Sequence, residues 1–138
     1  MTISYSDTVK DAKNDAVEVT IGTSPKLRIY SGSVPANASA SLGAAVLLAE
    51  GSLPSDWMSN SSGGVKSKTG TWTLTGQSGA GAGTAGTFYR VYDSAGTTSH
   101  EQGTFTASGG GGDMTIDNNS IANAQSITVA TYTKTAGN

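Results

Sequence analysis

Cysteine is absent from this 138-residue chain, which excludes disulfides, thiolate nucleophiles and cysteine-ligated zinc. A single histidine, His100, leaves no material for a zinc site of imidazoles either. Charge is scarce: 13% of residues are charged and 36% are hydrophobic, against roughly 25% and 45–50% in ordinary soluble domains. The net charge of −2 comes with no basic cluster, so nucleic-acid binding, which needs a positive patch, is not expected. Long apolar runs are missing too. The longest, "LGAAVLLAEG", is broken by glycine and falls well short of the roughly 20 residues of a membrane span, so no membrane partner is expected. The opening "MTISYSDTVKDAK" lacks the basic start and apolar middle of a secretory leader, and none is expected.

Glycine, serine, threonine and alanine fill the deficit, a composition at home in β-rich proteins with long connections. The length suits one domain over residues 1–138, with a helical segment at 1–22 and a β domain at 23–138. Only "SDTVKDAKNDAVEVTIG" reads as helix. Val9, Ala12, Ala16 and Thr20 form a weak stripe at spacings of three and four, suited to lie across a sheet or against a partner. Ser6 or Asp7 can cap its start and Gly22 can end it, and Asp7–Lys10 is a favourable pair. Beyond Gly22 the chain reads as strands and loops. "KLRIYSG" alternates, with Leu27 and Ile29 opposite Arg28 and Tyr30, and "TGTWTLTG" sets Trp72 and Leu74 against threonines. "AAVLLAEG" suits a strand buried on both faces. "FYRVYDSAGTTSHEQG" reads as a hairpin around "DSAG", and "DMTID" and "SITVATYTKT" are the last strands. About seven strands after one short N-terminal helix predict an all-β fold, an antiparallel β-sandwich or jelly roll. No internal repeat is evident.

"GTFTASGGGGDMTIDNN" raises the question of chemistry. A β-roll calcium repeat needs Asp two positions after its last Gly, whereas Asp113 directly follows Gly112, and there is one copy. The alternating ligands and closing Glu of an EF-hand are missing. Asp113, Asp117, Asn118 and Asn119 could approach a surface cation, but the favoured reading is that they shape turns. Gly109–Gly112 opens no helix and ends in an anion-repelling Asp113, against phosphate binding; a joint between strands is simpler. His100 beside Glu101 lacks any "GxSxG" elbow. Asp56, Asp93 and Asp113 sit where turns want aspartate rather than as a hydrolytic pair. Neither catalysis nor a cofactor nor a metal is expected. Trp57 and Trp72, with Tyr30, Tyr89 and Tyr92, could stack on a sugar, or could serve as core.

The C-terminal half, "FYRVYDSAGTTSHEQGTFTASGGGGDMTIDNNSIANAQSITVATYTKTAGN", resembles capsid decoration (cement) proteins of tailed phages, small jelly-roll proteins encoded beside the head genes. The shared pattern is an "FRxYDSxG" hairpin, "QGT", a Gly-rich piece, "DMxxDNxSI" and a final "TxTxGN". The opening "ISYSxxxKxxxxDAV" and the segment "LxIYxGxxPA" belong to the same group; "NAQS" replaces an expected "GQ" at a turn. The resemblance covers most of the chain but consists of structural punctuation.

It implies a non-enzymatic virion protein, made in the bacterial host cytoplasm, on the capsid exterior. There it would bind the major capsid protein and stabilise contacts between its subunits. A compact virion protein released by lysis needs no leader. Self-association, most simply as a two-fold dimer, is expected of a protein placed at symmetric positions. The helix and the loops at 34–41, 57–66 and 76–86 are expected to carry contacts. Trp57, with Met58, and Val34 with Pro35 are the candidate partner residues; the alternative for Trp57 is to fold back on its own sheet. Carbohydrate- or receptor-binding modules and tail or neck components are the other classes the sequence leaves open.

Overall fold

The computed structural model describes residues 2–137. Helix α1 (Asp7–Ile21) begins where expected: Ser6 is extended, and its Oγ accepts from the Val9 amide at 3.4 Å. Gly22 stops it at φ +88°, donating its own N–H to the Glu18 carbonyl at 2.9 Å. Without a Cβ it takes that conformation at little cost.

The remainder is strand and loop. In order come β1 (Lys26–Ser31), β2 (Val46–Ser52), β3 (Val65–Ser67), β4 (Trp72–Gly76), β5 (Thr84–Ala85) and β6 (Phe88–Tyr92). There follow β7 (Ser99–Gly103), β8 (Thr106–Ala107), β9 (Met114–Ile116), β10 (Ser120–Ile121) and β11 (Ser126–Thr135). The chain is thus all-β with one short N-terminal helix. A single large sheet runs β7-β6-β1-β2-β4-β11-β9-β8, with β3 added on β11, while β5 and β10 pair separately. All pairings are antiparallel except β8 with β9. The sheet curls over itself. Tyr89 on β6 meets Tyr132 on β11 edge-to-face at 6.3 Å, although three strands separate β6 and β11 in the sheet. The two outermost strands, β7 and β8, are also neighbours in sequence, so the chain passes from one sheet edge to the other through Thr104 and Phe105.

Alternation decides which side of each strand faces in. On β4, Trp72 and Leu74 are buried while Thr73 and Thr75 are exposed. Leu27, Ile29, Leu48, Leu74, Val91, Ile116, Ile127 and Val129 build the main core. Tyr30, Phe88 and Tyr92 form a second cluster on the other face of β1 and β6. β2 departs from the expected burial on both faces: Leu48 and Ala49 are buried, but Val46 at its start is 44% exposed. Two stretches read as flexible connections are packed instead. Residues 57–66 run into β3, whose central Lys66 is buried. "GQSGAGAGTAG" forms a 3-10 turn (Ser78–Ala80) and β5, with Ala80 buried.

The glycine run at 109–112 is a packed turn rather than a loose tether. Parallel neighbours ordinarily need a crossover of a dozen or more residues, yet residues 108–113 alone join the parallel β8 and β9. Gly109 sits at φ +89°. The Gly110 amide donates to the Ala107 carbonyl at 2.9 Å, and the Gly112 amide to Thr106 Oγ1 at 3.2 Å. A Cβ on Gly110 would lie 2.5 Å from Thr106 Oγ1, whereas one on Gly111 would meet nothing within 4 Å. Gly111→Ala is therefore expected to change stability by no more than about 0.5 kcal/mol, and Gly110→Ala to cost about 1–2 kcal/mol. Thermal melts of the two variants check this; equal tolerance at both positions would make the run a slack linker after all.

Candidate functional site

Between Arg28 and Glu50 the sequence carries no charged residue, and the fold turns most of that stretch into a surface loop, residues 32–45, joining β1 to β2. Its inner side rests on the second aromatic cluster: Leu42 and Ala45 pack against Tyr30, Phe88 and Tyr92. Tyr30 stacks on Phe88 at 5.2 Å, and the Tyr30 and Tyr92 hydroxyls are 2.9 Å apart. Burial, then the neighbouring Tyr92, pushes the Tyr30 phenol well above its ordinary range, so it stays protonated and able to donate.

Arg90 holds the loop in place. It is 4% exposed, and no carboxylate reaches it among the described residues. Its Nη2 donates to the carbonyls of Asn37 (3.1 Å) and Ala40 (2.8 Å), and its Nε to Gln102 Oε1 (2.9 Å). Gln102 Nε2 in turn donates to the Pro35 carbonyl at 2.8 Å. The Thr87 hydroxyl donates to the Gly32 carbonyl at 2.7 Å. A planar guanidinium suits such a fork, and the loop conformation is set before any partner arrives.

On the outer side Val34 is 47% exposed and Pro35 half-buried beside it. With Leu42 and Ala45 they border a shallow groove. A second groove runs between this loop and β7, past Ala38, Leu42, Arg90 and Tyr92 to Ser99. Among the described residues, Ser99 Oγ is the one buried side-chain polar atom without a protein partner. The site is therefore a preorganised, uncharged platform with an unused hydroxyl in its floor. Its outer side offers apolar side chains, Val34, Pro35, Leu42 and Ala45, for contact.

Of the four expected contact residues, Val34 and Pro35 lie on this platform. Trp57 and Met58 do not: they are 1% and 3% exposed and belong to the main core. The Trp57 indole donates to the Gly22 carbonyl at 3.1 Å and lies 5.9 Å from the Trp72 ring. The alternative that Trp57 folds back on its own sheet is the one realised, because an indole buries a large apolar area and its N–H finds a partner at the helix terminus. Sequence reasoning missed Arg90 as the latch; its place on the Phe88/Tyr92 face, opposite a charge-free loop, was the available signal.

Asp113 is exposed, while other candidate loop residues accept backbone hydrogen bonds. Asp117 accepts from the Thr128 amide (3.0 Å), Asn118 from Ser120 (2.9 Å) and Asn119 from Gly86 (3.0 Å). Asp93 accepts from the Thr97 amide and hydroxyl at 2.8 and 3.0 Å, and the amide bond first of all holds its carboxyl below the usual range. Glu101 takes the hydroxyls of Tyr89 (3.0 Å) and Tyr132 on one oxygen and Lys134 on the other. Burial and then the Glu101 charge push both phenols far up, which keeps them as donors and ties β6, β7 and β11 together. His100 is exposed. Among the described residues no three His, Asp or Glu side chains converge to hold a metal ion, and no helix is long and apolar enough to cross a membrane. The aromatics considered for sugar stacking, Trp57, Trp72, Tyr30, Tyr89 and Tyr92, are all buried.

No protein-family model, no curated protein and no solved structure matches this chain.

Proposed function

We propose that this chain is a structural virion protein that binds the outside of a tailed-phage capsid and stabilises contacts between major capsid protein subunits. The observation that carries the reading is a convergence. Two of the distant segments behind the resemblance to decoration proteins are "LxIYxGxxPA" and "FRxYDSxG". They meet at one place: Gly32, Pro35 and Ala36 lie at the start of the platform, and Tyr30, Arg90 and Tyr92 support it from beneath. Punctuation that looked merely structural builds one exposed, rigid, uncharged surface. Such a surface suits a partner met in many copies, where modest affinity per site is sufficient.

The test uses expanded particles lacking this protein, titrated with wild-type protein and with Val34→Asp. Val34 is on the rim, so the variant is expected to fold normally and to bind at least about 10-fold more weakly, since a charge on an apolar contact must be desolvated. Wild-type protein that fails to bind particles overturns the decoration reading. Unchanged binding of Val34→Asp moves the contact away from residues 32–45.

A further inference from the structure

Arg90 is nearly sealed in the fold, yet its charge has no counterpart. The face of β1 and β6 that carries it also holds Lys26 and Arg28. One carboxylate stands opposite them: Glu50 of β2, 3.6 Å from Lys26 Nζ and 2.5 Å from Arg28 Nε. Asp93, in the turn that leaves β6, accepts from the Thr97 amide and hydroxyl and from the Thr98 amide at 3.3 Å. Neither acid pairs with Arg90. A buried charge is ordinarily paired, because leaving water is costly for it.

The donors of Arg90 narrow what could complete it. The Nε hydrogen goes to Gln102, and both Nη2 hydrogens go to the carbonyls of Asn37 and Ala40. Nη1 bonds to nothing among the described residues, and it is not a sealed atom, since Ser99 Oγ is the one buried side-chain polar atom without a partner. Nη1 is therefore the open end of the guanidinium. Arg90 and Ser99 line the same cleft, about 410 Å³ between residues 38–42 and β7, where Thr98 and Ser39 add further hydroxyls. Ser99 is there because β7 is bulged. Val91 pairs with Glu101 but Tyr92 pairs with Ser99, so His100 is an extra residue. Strict alternation would turn Ser99 to the core side with Glu101; the bulge turns it to the side of Arg90 and Gln102.

We propose that this cleft binds a carboxylate, with one oxygen accepting from Arg90 Nη1 and the other from the Ser99 hydroxyl. A single negative charge matches the single uncompensated guanidinium. A doubly charged phosphate fits less well: Nε and Nη2 are committed, which closes the guanidinium fork, and Lys26 and Arg28 already share Glu50. A neutral amide would leave the charge uncompensated. The carboxylate also supplies the Ser99 hydroxyl with the partner that the protein does not.

The test is an NMR titration of the full chain at constant ionic strength, with acetate as the probe. Saturating shifts are expected at the Ser99 and Thr98 amides and the Arg90 guanidinium, and none with neutral N-methylacetamide. Ser99→Ala leaves the bonds of Arg90 to residues 37–40 in place. It is expected to bind acetate about tenfold more weakly and to melt at or above the wild-type temperature, since the hydroxyl it removes is buried without a partner. A blocked tripeptide with a central glutamate distinguishes the source of the carboxylate. Binding about tenfold tighter than acetate assigns the cleft to an acidic side chain of a protein partner; equal or weaker binding assigns it to a free small acid. No saturation by either probe, equal shifts with N-methylacetamide, or unchanged affinity in Ser99→Ala overturns the proposal. So does inorganic phosphate that binds more tightly than both carboxylates. No particles enter the titration, so these outcomes do not depend on whether the chain binds a shell.

Discussion

Trp57→Ala is expected to lower the unfolding free energy by about 3–5 kcal/mol, a large share of the roughly 5–15 kcal/mol that a domain of this kind has. For a chain of this size that corresponds to a fall in Tm of about 10–20 °C. Three contributions act together. The indole is 1% exposed in the main core. It is the first ring of a continuous aromatic series in which Trp72 lies 5.2 Å from Tyr132 and Tyr132 meets Tyr89. Its N–H also satisfies the Gly22 carbonyl, where the chain leaves α1. Trp57→Phe retains most of the packing and loses that bond, so about 1–2 kcal/mol is expected. Val19→Ala, on the exposed helix face, is the control and should stay within about 0.5 kcal/mol. Thermal and urea melts of the three variants decide the matter. A Trp57→Ala protein melting within 2 °C (about 0.5 kcal/mol) of wild type would mean that the 53–68 segment is not part of the core.

The same residue marks where sequence reading stopped. β1 and β4 were legible because each separates two different environments, and period-two alternation records the difference directly; β6, buried at all five positions, was legible from its aromatic and β-branched residues ahead of the "DSAG" turn. The ends of α1 were legible because Ser6 and Gly22 act locally. Which side of α1 faces the body was not. The partners of its inward face, Ser61, Gly64 and Lys66, are roughly fifty positions away, and they convert Asp11, Asn14 and Glu18 from solvent-facing residues into contacts. Residues 53–68 hold Leu53, Trp57 and Met58 in a polar background with no period, and β3 buries a lysine rather than a hydrophobe.

The low-complexity stretches misled for a related reason. Small residues read as slack, but here they permit close approach. A Cβ on Gly79 would come within 2.6 Å of the Leu47 carbonyl, and one on Gly86 within 2.7 Å of both Ile29 and Phe105. Composition cannot separate glycine needed for freedom from glycine needed for proximity. Of the candidate contacts, Val34 and Pro35 were legible as loop residues because proline and small residues mark a surface loop. Their support from Arg90 was hidden, since a strand arginine is ordinarily solvated.

Arg90→Leu is expected to be the most informative substitution for function. It removes three hydrogen bonds from a charged donor, to Gln102 Oε1 and to the carbonyls of Asn37 and Ala40, and should cost about 2–4 kcal/mol of stability. Arg90→Lys is not a conservative rescue. An ammonium is a compact point charge and cannot span the two carbonyls and the amide in one plane. Both variants keep the strand pairing of Arg90 with Arg28 and Gln102, so the sheet should survive while residues 35–42 loosen. In hydrogen exchange, the Ala40 and Ala45 amides, which close turns onto Asn37 and Leu42, should lose protection by an order of magnitude or more relative to β1 and β4. The consequence for binding is entropic. A platform that must be ordered on contact binds more weakly than one already set, and a penalty of about 1.4 kcal/mol is tenfold in affinity. On the proposed decoration role, particle titration with Arg90→Lys should therefore show at least that loss, although Arg90 itself is only 4% exposed. Unchanged exchange in residues 35–42 would remove Arg90 as the latch; a loosened loop with undiminished particle binding would place the shell contact elsewhere on the molecule.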